Sequence, residues 1–275
     1  MGTERTELPG IPGPDLTAAD EAEADFSSGW LRLSDRVFVS VGAHAETNST
    51  LVVSRGQAIL VDTGADRPEA LRVAVHLRRN GIQLRDILLT HRHADHCANL
   101  EFYRAPPERV HDPASTPDGT VFEFGGMKLR AVHTPGHHER GDMGIEIVGE
   151  GIYVAGDVLF TCLPAMICYG ADEQALRVSF ARIRKAAYPL IVPGHGRPLD
   201  GTAMVDMAEG YLAAALAKVE DVVSRGGGLN DALAIPLDEC FAHPDWLEPN
   251  VSRDIHAGNL KIMFKRLAVA RNRKG

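Results

Sequence analysis

The run Thr90-His91-Arg92-His93-Ala94-Asp95-His96 places three imidazoles and a carboxylate within six residues. It follows Asp86-Ile87-Leu88-Leu89, an apolar run that reads as a short buried strand. If the backbone stays extended past Leu89, His91, His93 and Asp95 share one side, because strand side chains alternate with a period of two. His96 then breaks the period and faces a second point. Neutral ring nitrogens beside a hard oxygen suit zinc, with iron or manganese as second choices. The plain alternative is a cluster of surface histidines, and the density of the run argues against it.

At 275 residues the chain is long enough to bury a full core. Hydrophobic residues make up 44% and charged residues 24%, the balance of an ordinary globular protein. A formal charge of −8 argues against a nucleic-acid surface, which needs a basic face. The longest apolar stretches are strand-sized, so no membrane span is expected. The first residues lack the basic-then-apolar order of a secretory signal. Cys97, Cys162, Cys168 and Cys240 show no CxxC spacing, and we read them as reduced packing residues of a cytoplasmic protein.

Taken in order, residues 1–28 are rich in Pro, Gly, Ala, Asp and Glu and read as a loosely held, flexible arm. Residues 29–200 alternate strands with helices. Arg36–Val41, Thr50–Ser54 and Ala58–Val61 are strand-like, with Arg55-Gly56 as a hairpin turn. A helix follows over Arg67–Arg79, stopped by Asn80-Gly81. Strands recur at Glu108–His111, Thr120–Phe124, Met127–His133, Gly144–Val148 and Ile152–Ala155. A helix over Asp172–Ala187 leads to the strand Leu190–Val192. Residues 201–275 read as an α-helical extension packed on the core, with helices at Ala203–Arg225 and Val251–Arg271. The two halves echo each other: strand–Asp-Thr-Gly, helix, strand–Thr-His, then strand–Gly-Asp, helix, strand–Gly-His. Each delivers polar groups at the ends of buried strands, where open sheets keep their sites. The expected architecture is therefore α/β, a four-layer α/β/β/α sandwich.

Beyond the first histidine run come Thr134-Pro135-Gly136-His137, Gly156-Asp157-Val158-Leu159-Phe160 and Pro193-Gly194-His195-Gly196. Together with Asn48 and Asp62-Thr63-Gly64, this ordered set resembles the metallo-β-lactamase superfamily, the metal hydrolases that include glyoxalase II. The resemblance runs from about Val37 to Pro198. It implies the four-layer fold and two metal ions, expected as zinc with iron or manganese possible. It implies His91, His93 and His137 as ligands of the first ion. Asp95, His96 and His195 would hold the second, and Asp157 would bridge both. Asp95 and Asp157 are then the carboxylates closest to the chemistry, and Asp62 would orient a ligand or close the turn beneath. Between the neighbours His137 and His138, the Thr-Pro-Gly-His motif assigns His137. His133 reads as a packed, hydrogen-bonded histidine, His44 as rim or surface, and Cys97 as a small packing residue.

The Gly156–Phe160 segment looks like the glyoxalase II branch, which implies hydrolysis of a thioester or ester-like bond. The basic and tyrosine residues that grip glutathione in that branch are not located here. Acyl-homoserine lactonases usually carry a tyrosine where this chain has Phe160. The reading is a thioesterase or esterase acting on a small-molecule or carrier-bound acyl substrate. Its alternatives are a lactonase, an iron-dependent oxygenase or persulfide dioxygenase on the same ligand skeleton, and a non-catalytic scaffold. Thr161–Gly170 and the C-terminal helices, with Phe241 and Trp246, are candidates for lining the substrate cleft.

Overall fold

The computed structural model describes residues 10–242 and 249–272. Trp246 therefore lies outside the described residues. The elements run α1 (Ala18–Glu23), β1 (Trp30–Arg32), β2 (Val37–Val41), β3 (Asn48–Ser54), β4 (Gln57–Val61), α2 (Arg67–Arg79), β5 (Gln83–Leu88) and α3 (Ala94–Cys97). Then come β6 (Val110–His111), β7 (Val121–Phe124), β8 (Met127–His133), β9 (Met143–Ile147), β10 (Ile152–Phe160), α4 (Glu173–Ala186) and β11 (Leu190–His195). The chain closes with α5 (Gly201–Ser224), α6 (Leu229–Leu233) and α7 (Pro249–Asn272).

Two sheets form, with strand orders β1-β2-β3-β4-β5-β6 and β11-β10-β9-β8-β7. Side-chain alternation sorts the apolar residues into three cores. Val52, Ile59, Val61 and Leu88 of the first sheet face Leu129, Ile145, Val154 and Val192 of the second, filling the space between sheets. Their neighbours Leu51, Leu60 and Ile87 point the other way, onto Ala70, Val73 and Leu77 of α2. On the far side, Tyr153, Ala155 and Ile191 meet α4, α5 and α7 through Phe180, Ile183, Met204, Leu212 and Leu260. The result is the expected α/β/β/α sandwich with its C-terminal helices laid on the second sheet.

The segment expected as a loose arm is, over residues 10–28, held against the first sheet. Ile11 is buried and its N–H donates to the Leu84 carbonyl. Thr17 and Asp20 close a capping box on α1, and Asp20 pairs with Arg67 of α2. One buried isoleucine and a charged helix face hold this stretch, and composition averages over both. The strand expected to end at Ala155 continues to Phe160. Its pairing with β11 slips between Val154 and Gly156 and again between Gly156 and Phe160. Gly156, at φ +59°, supplies the left-handed residue of that irregularity. A Cβ there would meet Thr90 at 2.6 Å. Pro193, which has no N–H to donate, sits on β11 at the sheet edge.

The last helix is tied to the segment after β10 by a closed set of hydrogen bonds. Asn259 is fully buried; its Oδ1 accepts from Ile167 N at 2.9 Å, and its Nδ2 donates to Ala165 O and to Tyr211 Oη. His256 Nε2 donates to Ile235 O at 3.1 Å, which leaves Nδ1 to accept from Tyr211 Oη. Every partner in this chain of bonds has one consistent role.

Candidate metal centre

Both sheets deliver side chains to one point where their strand ends meet. The extended run expected through Asp95 stops at His93, because α3 begins at Ala94. This turn separates Asp95 from His91 and His93, so the shared side expected from strand alternation does not form. His91, His93, His137 and Asp157 gather as one donor group, and Asp95, His96 and His195 as another. All seven side chains assigned by the family resemblance are thus brought together, in that partition.

In the first group, His93 Nδ1 lies 3.1 Å from His91 Nε2 and 3.1 Å from His137 Nε2. Donors about 2.0–2.1 Å from a common ion at tetrahedral or octahedral angles stand about 2.9–3.4 Å apart, so the spacing fits a metal. Asp157 Oδ2 faces this group, 3.4 Å from His137 Nε2 and 3.7 Å from His91 Nε2. Its Oδ1 faces the other, 3.0 Å from His96 Nε2 and 3.5 Å from His195 Nε2. Asp95 Oδ2 completes that group at 3.3 Å from His195 Nε2 and 3.8 Å from His96 Nε2. The two oxygens of one buried carboxylate therefore serve two different donor sets.

The ring orientations follow from hydrogen bonds beneath. Asp62, a non-glycine residue at φ +59°, accepts from Thr90 N, Thr90 Oγ1 and His96 Nδ1 at 2.8–2.9 Å. Because the Thr90 hydroxyl donates to Asp62, it accepts from His91 Nδ1 at 3.0 Å. His195 Nδ1 donates to Ala45 O at 2.9 Å. In each case Nδ1 donates to the support beneath and Nε2 is turned toward the cluster. His96 Nε2 and Asp157 Oδ1 are buried with no hydrogen-bond partner. Orphaned acceptors aimed at one another are what a cation would satisfy. Gly194 makes room for this: a Cβ there would meet Asp157 Oδ1 at 1.8 Å.

Electrostatics divide the cluster the same way. Burial, reinforced by the His96 charge, holds His91 well below the ordinary imidazole range. Burial likewise brings His137 down to about 4. Burial opposes charge on His96 and His195 too, but Asp157 outweighs it, holding His96 well above its usual value and His195 at about 9. Burial would raise Asp157, yet the surrounding imidazoles, His96 first, hold it well below the carboxylate range.

Residues 45–105 match the family model described as the metallo-β-lactamase superfamily. The chain is 30% identical over 169 residues to a hydroxyacylglutathione hydrolase of Xylella fastidiosa, covering 56% of this chain and 61% of that one. It is 30% identical over 132 residues to an atrochrysone carboxyl ACP thioesterase of Aspergillus fumigatus, covering 43% of this chain and 31% of that one. It thus spans about a third of the length of the fungal relatives it matches. A metallo-β-lactamase family protein of Thermus thermophilus superimposes with a TM-score of 0.62 at 20% identity, over 87% of this chain and 96% of that one. A β-lactamase domain protein from Burkholderia ambifaria gives 0.64 at 16% identity, over 95% and 92%. Over residues 45–105 the chain carries a metallo-β-lactamase superfamily match, and it shares the fold of these solved structures.

Other residues flagged in the sequence fall into place around this cluster. His138 stays outside both donor groups; its N–H donates to Asp142 and its Nδ1 accepts from Arg140 N. His133 Nε2 bonds the Thr116 carbonyl at 2.7 Å, a packed histidine. Cys97 lies outside both groups, half-buried. His256 belongs to the helix network and not to the cluster. His44 lines a cleft of about 290 Å³ beside the cluster, with Ala45, Phe160, Leu163, Met166 and Tyr169. A larger cavity of about 910 Å³ lies between α6 and α7, takes in Phe241, and does not touch the cluster.

Two supports had no reading in the sequence. Asp142 accepts from the N–H groups of Gly136, His137 and His138 and so shapes the loop carrying His137. Asn48, noted only as part of the resemblance, donates through Nδ2 to Pro193 O and Gly196 O, bracketing His195. An aspartate five residues past a candidate ligand in a turn-rich loop is the only available signal for Asp142. No helix among the described residues is long and apolar enough to cross a membrane.

Proposed function

We propose that the chain is a dinuclear metal-dependent hydrolase that cleaves a thioester or ester-like bond at the cluster. The observation that carries this is the split carboxylate of Asp157, one oxygen toward each donor set. His91, His93 and His137 would hold one ion and Asp95, His96 and His195 the other, with Asp157 between. When bound, two divalent cations, zinc by the donor chemistry, supply a water nucleophile usable at neutral pH and Lewis-acid stabilisation of a developing oxyanion.

The chain's own residues supply orientation. Asp62, Thr90 and the Ala45 carbonyl hold three imidazoles by their Nδ1 atoms, so that each Nε2 faces the cluster. Asp95, a quarter exposed at the cleft, is the carboxylate of the cluster that a bound substrate can reach. Phe160 brings no hydroxyl to the substrate. The 30% identity to a hydroxyacylglutathione hydrolase and to a carrier-protein thioesterase supports the bond type. A cytoplasmic setting accords with the four free cysteines, two of them buried and two half-buried.

Metal analysis of the purified protein, followed by a panel of thioesters, esters, lactones and β-lactams, tests this. Two zinc per chain with thioester turnover is expected. Iron with oxygen uptake in place of hydrolysis would overturn it. His93→Ala and Asp157→Ala are each expected to lose metal and at least a hundredfold in turnover while circular dichroism stays native. Full activity with both ions bound in either variant would refute the ligand set.

A further inference from the structure

We propose that the 290 Å³ cleft beside the cluster is a recognition pocket for an uncharged, apolar acyl group, and that it discriminates against acyl groups ending in an anion. The proposal rests on the hydrolase reading above. Beyond the loop at His44 and Ala45, two segments build the pocket, one running through Phe160, Leu163 and Met166, the other the start of α7 with Val251 and Ile255. Phe160 stands over the cluster, its ring centroid 5.6 Å from that of His195 and 6.1 Å from that of His137. A carbonyl held at the cluster therefore sends its acyl chain along Phe160 toward Leu163, Met166 and Ile255, which pack together as one apolar group.

Charge decides what can follow. No lysine or arginine is among the described residues lining the cleft, and the one charged side chain outside the cluster is Asp254. An acyl group ending in a carboxylate would, at the wall away from the cluster, be desolvated with no lysine or arginine among the described lining residues to meet it and with Asp254 repelling it. Size sets the second limit: at about 30 Å³ per water-sized unit, 290 Å³ holds about ten non-hydrogen atoms. The wall is also built in advance. Asn259 ties the backbone at Ala165 and Ile167, on either side of Met166, to α7 four residues beyond Ile255. Both segments are thereby held in register without substrate.

The test uses S-acyl-N-acetylcysteamine thioesters carrying acetyl, hexanoyl or adipoyl groups, together with the non-hydrolysable amide counterparts of the first two. Each buried methylene strengthens binding about fourfold, so the hexanoyl amide should bind at least tenfold tighter than the acetyl amide by calorimetry, with or without metal. For turnover, kcat/KM for hexanoyl should exceed that for acetyl and for adipoyl by at least tenfold each. Ile255→Ala should narrow the hexanoyl–acetyl gap, and Asp254→Lys, on an exposed residue, the hexanoyl–adipoyl gap at least fivefold. Equal amide affinities, or adipoyl preferred over hexanoyl by the wild-type protein, would overturn the pocket. Loss of all thioester turnover with the amide preference intact would remove the hydrolase reading and leave the pocket standing.

Discussion

A single missing methyl group decides where Asp157 lies. Gly194 on β11 passes so close to Asp157 that any side chain would enter the space of Oδ1. Gly194→Ala is accordingly expected to push Asp157 off its position and weaken metal binding at least tenfold, read by competition with a chromogenic chelator; unchanged affinity would mean the strand yields instead. Glu69 makes a second case. It is buried against Gly42 and Gly64, its Oε2 accepts from Ala65 N, and its Oε1 has no partner. Burial raises its pKa to about 7 from an ordinary 4.5. The folded protein then keeps this proton while the unfolded chain releases it, so stability falls as pH climbs from 4.5 to 7, and the loss is complete above 7. Glu69→Gln should remove up to about 3 kcal/mol of that loss, at about 1.36 kcal/mol per pKa unit. Urea titrations at about pH 5 and pH 8 check it: the variant should gain on the wild type only at the higher pH. At this scale the sequence was legible where chemistry is concentrated in short runs, as at His91–His96. Asp142 and Asn259 escaped because each acts through backbone groups that lie far off or around a turn, and neither belongs to a motif.

Elements were legible where periodicity and stop signals agree. The helix over Arg67–Arg79 and the strand over Met127–His133 have the bounds the sequence implies. β10 ran longer than expected because Gly156 reads as a break, whereas here it is a bulge within a continuing strand. A short helix was expected from Asp95 and begins at Ala94, which is what turns Asp95 off the side that a continued strand would have given it. In α7, Leu260 is fully buried in the core shared with α5 and the second sheet. Leu260→Asp places a carboxylate there without a partner, at a cost of several kcal/mol. The melting temperature should drop on the order of 10 °C at about 2–4 °C per kcal/mol for a chain of this size. An unaltered melt would mean that this face of α7 does not depend on the core.

Across the whole molecule, the first sheet contributes His91, His93, Asp95 and His96, and the second His137, Asp157 and His195. Metal bound there joins the two sheets. Binding at about a thousandfold over the dissociation constant stabilises the native state by about 4 kcal/mol. Removal by a chelator should therefore lower the melting temperature by on the order of 10 °C. A melt indifferent to chelator and to added zinc would show that no ion spans the sheets. The sandwich itself was legible from the echo between the two halves and from the ordered motifs of the resemblance. The folding of residues 10–28 onto it was not, since it hangs on Ile11 and one capping box. The pocket wall has a different origin from the cluster. The donors come from the sandwich, while part of the wall (Val251, Asp254 and Ile255) comes from a helix that begins at Pro249. Part of that wall can therefore be changed without touching a donor, so an exchanged tail is expected to retune which molecules the cleft accepts while the cluster stays as it was.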